Sequence, residues 1–391
     1  MSSPWSLAAA LPLLVWLHLL LFRGGFWRAD QRLDGTLEVP AKWPEVVVVV
    51  PARDEAANVG EAVRSLLAQD YGGAFTVILV DDQSSDGTAE TALAAAATTA
   101  AGERLRVVRT ADLPGGWAGK VWAMAAGVDE AGRLAPKARY VLFTDADIRH
   151  PPDGLARLVA KAEREHLDLV SLMVLLAHRG MWQRLLVPAF VFFFQKLYPF
   201  AWVNDSNRPT AAAAGGIMLV RREALSRAGG LAAIRDALID DCTLAHAIAD
   251  KGGRLWLGLA EAARSLRVYD DIAGVWRMVA RSAYTQLRYS PWLLAGTVIA
   301  MVVIYLLAPA IVFAYPWHGH SYALQIALLS WVLMAIAFGP TLKLYRQPFW
   351  IAFLLPVAGL LYTLMTLDSA RLHALGRGGA WKGRVRSSEH H

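Results

Sequence analysis

Tyr140-Val141-Leu142-Phe143-Thr144-Asp145-Ala146-Asp147 is an apolar run that ends abruptly in two acids separated by one residue. Read as a strand, its side chains alternate with period two, which sends Asp145 and Asp147 to the same side. Two carboxylates on one side of a strand end can hold a hard divalent cation, usually together with a diphosphate. A lone D-x-D is weak evidence, and its weight here comes from the segments around it.

Working outward, residues 45 to about 175 read as alternating strands and helices. Glu45 to Pro51 holds five consecutive valines, a buried parallel strand by its β-branching, stopped by Pro51. Glu55 to Gln69 has apolar residues at helical spacing, and Phe75 to Val80 is a second strand. An alanine-rich helix from Asp86-Gly87-Thr88 to about Ala101, a short strand over Leu105 to Val108 and a helix over Lys120 to Glu130 precede the D-A-D strand. Pro151-Pro152-Asp153 opens another helix, and Leu167 to Leu176 is a further strand. This order predicts an open α/β sheet with ligands at the carboxyl ends of its strands.

The flanks have another character. The 391-residue chain is 55% apolar, with mean hydropathy +0.35, too greasy for a purely soluble protein and too charged in its middle for a purely membranous one. Pro4 to Phe22, Pro291 to Ala314, Tyr322 to Leu342 and Phe349 to Leu367 are candidate spans. The first lacks a basic start and a small-residue cleavage site, so it reads as an uncleaved anchor. Arg23, Arg28 and Arg32 after it place residues 23 to 290 in the cytoplasm by the positive-inside rule, and the Tyr315 to Ser321 loop without Lys or Arg suits the far side. Pro356 interrupts the fourth segment, which either crosses fully or is re-entrant or interfacial. The basic tail with Arg371, Arg377, Lys382, Arg384 and Arg386 bears on that choice, and Glu389-His390-His391 reads as a tag remnant. Cys242 is the one cysteine, which excludes an internal disulfide and suits a reducing compartment. The net charge of +6 fits membrane topology, and with no basic stripe interleaved with stacking aromatics no nucleic-acid partner is expected. Gly180 to Val203, rich in Leu, Val and Phe and broken by Pro188 and Pro199, is either a buried core helix or an interfacial helix admitting a lipid.

Four acidic or polar clusters fall at or soon after strand ends. Pro51-Ala52-Arg53-Asp54-Glu55 either lines a cleft or starts a helix. Asp81-Asp82-Gln83-Ser84-Ser85-Asp86-Gly87-Thr88 either caps and turns or accepts hydrogen bonds from a base or ribose. Asp145-Ala146-Asp147 is the third. Ile239-Asp240-Asp241-Cys242-Thr243-Leu244 opens a helix to Ala249, its acids serving as caps or as a general base. Lys120 follows the loop Leu113 to Gly119, which lacks P-loop spacing, and can neutralise phosphate charge. Ala211-Ala212-Ala213-Ala214-Gly215-Gly216 is a smooth stretch suited equally to close substrate approach or to tight packing.

In order, P-A-R-D-E, V-D-D-Q-S-S-D-G-T, D-A-D, G-G-x-M-L-V-R-R-E-A-L and I-D-D-x-x-L resemble glycosyltransferase family 2 over roughly residues 44 to 290. More closely, the stretches 170–176, 188–200, 211–216, 238–242 and 283–291 resemble the hopene-associated glycosyltransferases of bacterial hopanoid pathways. The resemblance implies an α/β GT-A (Rossmann-like) nucleotide-sugar-binding domain with interfacial helices and with transmembrane helices at both ends. It divides the chain into an anchor (1–23), a cytoplasmic catalytic domain (44–290) with interfacial helices near 180–203 and 272–289, a membrane region of about three segments (291–367) and a basic tail (368–391). Pro51, Ala52, Arg53, Glu55, Asp81 and Asp82 would bind the nucleotide. Asp145, Ala146 and Asp147 would meet the ribose-diphosphate, with Asp147 and Asp145 as ligands of a divalent metal, Mg2+ or Mn2+. Asp241, with Asp240 as its alternative, matches the acid that deprotonates the acceptor hydroxyl; Asp240 stands where the family has Glu and Ile239 where it has Thr. Arg288, within Thr285-Gln286-Leu287-Arg288-Tyr289, and Lys120 would contact the diphosphate, while Thr285 departs from the usual Gln or Arg. The implied reaction is inverting transfer of a sugar, from a UDP-sugar by expectation, to a lipid such as a hopanoid, at the cytoplasmic face of a bacterial inner membrane. A polyprenyl phosphate, sphingolipid or carotenoid is the alternative acceptor. A silent nucleotide-sugar-binding scaffold among other lipid-pathway enzymes is the reading from another class.

Overall fold

A computed structural model describes residues 4–33, 39–178, 180–269 and 271–376. The described residues divide into two compact units: an α/β unit within Gln31–Ala177 and Trp202–Val268, and a helical unit within Met1–Asp30, His178–Ala201 and Tyr269–Gly379.

The α/β unit is a mixed eight-stranded sheet. Its strands are β1 (Val46–Ala52), β2 (Phe75–Asp81), β3 (Leu105–Arg109), β4 (Tyr140–Thr144), β5 (Ile148–Arg149), β6 (Leu169–Leu175), β7 (Ile217–Arg221) and β8 (Leu255–Ser265), in the order β3-β2-β1-β4-β7-β6-β8-β5. β1 to β4 are mutually parallel, whereas β7 runs antiparallel to both β4 and β6. Val46, Val48 and Val50 face a core shared with the helices Ala56–Leu67, Thr88–Ala97 and Gly154–Arg164. Val49 faces the other side, where the Gly119–Leu134 helix comes so close that a Cβ on Gly127 would lie 2.4 Å from Val49 Cγ1. Covering both faces is what makes a run of valines, rather than an alternating pattern, the right sequence for a central strand.

Two local expectations change here. Pro51 does not stop β1, which runs on to Ala52. β4 pairs only with Val46 to Val49, so Pro51 lies beyond that ladder and its missing N–H leaves no β4 carbonyl without a donor. Strands β7 and β8, on which the sequence reading is silent, complete the sheet. Pro188 does not break its segment: one helix runs through it from Met181 to Leu197.

In the helical unit four helices are long and apolar enough to cross a membrane: Pro4–Phe22, Pro291–Phe313, Ser321–Leu344 and Phe349–Ala374. The last starts as 3-10 turns over Phe349–Leu354. Pro356 then falls in the first turn of the α-helix, where a missing N–H is harmless, so it begins that helix rather than interrupting it. Trp16, Phe192, Tyr305 and Phe338 are buried together inside the unit, and the Met181–Leu197 and Ile272–Ala280 helices pack into the same cluster. Trp292, Trp317 and Tyr322, near the helix ends, are 86%, 84% and 78% exposed, the position of aromatic belts in membrane proteins. The basic tail falls partly on the end of the last helix, and residues 377–391, with Arg377, Lys382, Arg384 and Arg386, lie outside the described residues.

Candidate active site

The parallel register places the first two clusters side by side, since Ala52 pairs with Asp81 at the ends of β1 and β2. The two loops then lock each other. Asp54, in the left-handed region (φ 49°), receives Ser85 N–H on its carboxylate at 2.9 Å and donates its own N–H to Ser84 Oγ at 3.0 Å. Asp86 accepts from Ala56 N–H and Thr88 N–H, so one carboxylate caps the helices that begin at Ala56 and Thr88. Burial pushes the Asp86 carboxyl up, but its hydrogen bonds to Thr88 and Ala56 together outweigh burial and hold it below its ordinary pKa. Asp82 is fully buried, accepts from Thr110 Oγ1 at 2.9 Å and lies 3.7 Å from Arg53 Nη1, which also donates to the Asp82 carbonyl. Asp81, also buried, receives Ser84 N–H. Asp82 thus holds Arg53 in place, and Asp81 braces its own loop.

β4 ends at Thr144, so Asp145 and Asp147 lie in the turn that follows and not on one face of a strand. Freed from period two, they diverge. Asp145 pairs with Lys120 Nζ at 3.0 Å, and Asp147 accepts from Arg267 Nε at 2.9 Å while the same guanidinium donates to Glu55 Oε1. Burial and the neighbouring Asp145 push the Asp147 carboxyl up, and Arg267 pulls it partly back.

Because β7 is antiparallel to β4, its first residue Ile217 lies against Thr144, which brings the Ala211–Gly216 stretch to the D-A-D turn. Thr144 Oγ1 donates to the Gly216 carbonyl at 2.8 Å, and Gly215 N–H donates to Asp241 Oδ2 at 2.8 Å. A Cβ on Gly215 would stand 3.2 Å from Lys120 Nζ and 3.3 Å from Asp241 Oδ2. The smooth stretch therefore packs tightly, and it does so against the charged centre. Lys120, in the first turn of its helix, is the hub: its ammonium also lies 3.1 Å from Asp240 Oδ2. Burial opposes its charge, but Asp145, Asp240 and Asp241 together outweigh burial and hold its pKa above the ordinary lysine value. Asp241, in the first turn of the Asp240–Ala249 helix, accepts from Gly215 N–H and from Cys242 N–H, each at 2.8 Å. Burial, with Asp240 beside it, nonetheless raises its pKa to about 6.

The α/β unit thus brings together Arg53 with Asp81 and Asp82, Glu55 with Asp147, and Lys120 with Asp145, Asp240 and Asp241. Arg288 belongs to the helical unit, in the left-handed region (φ 51°) next to Tyr289 (φ 55°). Arg267 escapes sequence reasoning: Leu266-Arg267-Val268 carries no local signal, and only the unforeseen strand β8 delivers it to Glu55 and Asp147. Among the described residues no three His, Cys, Asp or Glu side chains converge as a metal centre. Asp145 and Asp147 are still suitable hard-oxygen donors, because their mutual repulsion is relieved only by cations, Lys120 on one and Arg267 on the other. A cavity of about 500 Å3 elsewhere in this unit, beside His150 and Arg157, is lined by none of these acids.

Residues 140–366 match the family model Glycosyl transferase family group 2, and residues 47–229 match Glycosyl transferase family 2. The chain belongs to glycosyltransferase family 2. The fold is GT-A: a mannosyltransferase from Pyrobaculum calidifontis, in complex with GDP-Man and Mn2+, superposes with a TM-score of 0.51 over 93% of this chain and 99% of that one, at 21% identity. Among curated relatives, the undecaprenyl-phosphate 4-deoxy-4-formamido-L-arabinose transferase of Pseudomonas aeruginosa is 30% identical over 141 residues, 36% of this chain and 38% of that one. Its counterpart from Salmonella enteritidis is 31% identical over 130 residues, 32% and 36% of the two chains. The matched stretch thus spans little more than a third of these relatives.

Proposed function

We propose that this protein is a membrane-bound glycosyltransferase that moves a sugar from a nucleotide-sugar donor, UDP-linked by our reading, to the hydroxyl of a lipid, a hopanoid being the acceptor its sequence resembles. The observation that carries this is the Asp241 carboxylate, fixed by two backbone N–H groups beside the Lys120–Asp145–Asp240 cluster and with its pKa raised to about 6. Such a carboxylate is ionised at neutral pH yet basic enough to take a proton. Asp241 accepts the proton of the acceptor hydroxyl as that oxygen bonds to the anomeric carbon. The bond to the diphosphate breaks on the opposite face, which inverts the centre, and the diphosphate leaves with the electron pair. Lys120 and Arg288 offset the charge that develops on the diphosphate. Arg53, Glu55, Asp81 and Asp82, with Pro51 and Ala52, shape the nucleotide end. Asp147 and Asp145 would hold a divalent cation, Mg2+ or Mn2+, which offsets diphosphate charge. The four apolar helices anchor the chain in a bacterial inner membrane, with the α/β unit in the cytoplasm and neighbouring lipid-pathway enzymes as further partners.

A second reading, favoured by the undecaprenyl-phosphate relatives, has a polyprenyl phosphate as acceptor. The chemistry separates the two. A hydroxyl needs a base, whereas a phosphate monoester is already anionic at neutral pH and attacks without one. UDP release from UDP-sugars with lipid extract, abolished by chelator, restored by Mg2+ or Mn2+ and lost in Asp241→Asn, supports hydroxyl transfer. UDP release that survives Asp241→Asn moves the acceptor to a phosphate. Tight donor binding with no turnover on any lipid leaves a scaffold. Lipid mass spectrometry of a deletion strain beside its parent tests the hopanoid: no difference in any hexosylated or N-acetylhexosaminylated hopanoid sinks that assignment.

A further inference from the structure

The cavity of about 500 Å3 in the α/β unit takes no part in the reaction above. A fault in the sheet opens it. β6 and β8 pair in parallel as far as Met173 and Leu259, and the next paired residues are Leu175 and Arg264. Val174 alone therefore stands opposite four residues, Ala260-Glu261-Ala262-Ala263, which have to leave the ladder as a bulge. All four line the cavity, and three of them are alanine, so the bulge leaves space rather than filling it. The Gly154–Arg164 helix adds Leu158, and the buried Leu172 and Ile217 complete an apolar lining. The volume lies within the roughly 300–1,000 Å3 of small-molecule sites.

The charged side chains of this lining are paired: Arg157 donates to Asp153, and Glu261 meets Arg32 at 2.6 Å. Its one deeply buried polar side chain is His150, 4% exposed and three residues past the D-A-D turn. Thr144 Oγ1 carries a single proton, which goes to the Gly216 carbonyl at 2.8 Å. At its 2.9 Å contact with His150 that hydroxyl is therefore the acceptor, and Nε2 carries the ring proton. Burial pushes the imidazole pKa down to about 4, so the ring stays neutral and Nδ1 keeps a bare lone pair. Among the described residues Nδ1 has no partner, yet it is not sealed in protein, so the lone pair opens on the space that His150 lines. Such a pocket selects a molecule that donates once and is otherwise apolar. An ion would lose its hydration and find the charges at the rim already engaged.

We infer that this cavity binds an uncharged apolar alcohol, its hydroxyl donating to His150 Nδ1 and its hydrocarbon body lying against the alanine bulge. None of Asp145, Asp147, Asp240 and Asp241 lines the cavity, so this is a second site and not the reactive position of an acceptor. Binding is read without turnover, so its outcome is separate from that of the function proposed above. The full chain in nanodiscs is photolabelled with a diazirine-bearing farnesol, and the cross-linked peptides are mapped by mass spectrometry. A saturable label is expected within residues 150–158 or 259–263. At equal mole fraction in the bilayer, farnesol should compete for it about fivefold or more effectively than farnesyl methyl ether, the scale of one hydrogen bond to a buried acceptor. His150→Phe, which keeps a ring and removes the lone pair, should bring the two competitors within about twofold. Ala263→Leu, which fills the space, should remove the label. Equal competition by alcohol and ether in the parent protein, as for a pocket that holds water alone, overturns the site. So does the absence of a saturable label at these residues, a folded His150→Phe that keeps the preference or a folded Ala263→Leu that keeps the label. The ether comparison uses the parent protein, so the test holds even where a variant fails to fold.

Discussion

The two units treat buried charge in opposite ways. In the α/β unit nearly every acid of interest has a cation or an N–H: Asp82 has Arg53 and Thr110, Asp145 and Asp240 share Lys120, and Glu55 and Asp147 share Arg267. In the helical unit Lys196 instead meets two rings, a hydroxyl and, nearby, a second cation. The paired charges of the α/β unit position their groups, yet the buried Asp240 Oδ2 makes no hydrogen bond and meets Lys120 as an ion pair alone. Arg267 bridges Glu55 and Asp147, so the protein's own charges keep these two acids in position.

The largest test of that contrast is Asp241→Asn. It removes the proposed base and leaves one oxygen to accept one of the two N–H groups, and turnover on a hydroxyl acceptor should fall about a thousandfold with donor affinity unchanged. Lys120→Met comes next. It strips the shared counter-charge from Asp145 and Asp240, and the melting temperature should drop by an amount equivalent to about 2 kcal/mol, below the figure for a sealed pair because the Asp145 side chain is 37% exposed. A melting temperature equal to that of the parent would show that Lys120 does not stabilise these two acids. Gly215→Ala should push the added Cβ against Lys120 and Asp241 and cost about tenfold in turnover, with stability nearly unchanged.

The pH dependence cuts the same comparison more finely. A carboxyl raised to about 6 should make turnover rise with pH through that value as Asp241 ionises. Its effect on stability has the reverse sign. Between the ordinary carboxylate pKa and about 6 the folded protein binds the proton more tightly than the unfolded chain does, so this group's contribution to stability falls as pH rises. Asp241→Asn should flatten both trends, measured by rate profile and by denaturant melts from pH 4 to pH 8. The smallest effect is expected from Asp86→Ala, which uncaps two helices without touching the charged centre and should cost about 1 kcal/mol with turnover unchanged.

Much of the fold was legible locally. The valine run, the alanine-rich helix and the apolar flanks announce themselves because burial on both faces, helical spacing and span length are properties of contiguous residues. The acidic stations were legible for the same reason, as polar runs that follow apolar ones. What failed were inferences that depended on a neighbour in space. Pro51 could stay in its strand because the pairing with β4 had already ended, and Pro356 could open a helix because its turn was the first. β7 and β8 went unread although they deliver Gly215 and Arg267 to the centre.

By itself the sequence determined that this chain joins an α/β sheet to apolar helices and carries its acids at strand ends, since those are consequences of hydrophobic patterning. Only the tertiary structure decided which cation each acid meets. Asp145 and Asp147 are neighbours in the chain, yet one turns to Lys120 and the other to Arg267. The partner of a charge is set by distances of a few ångströms between segments far apart in sequence, and sheet order, not local pattern, fixes those distances.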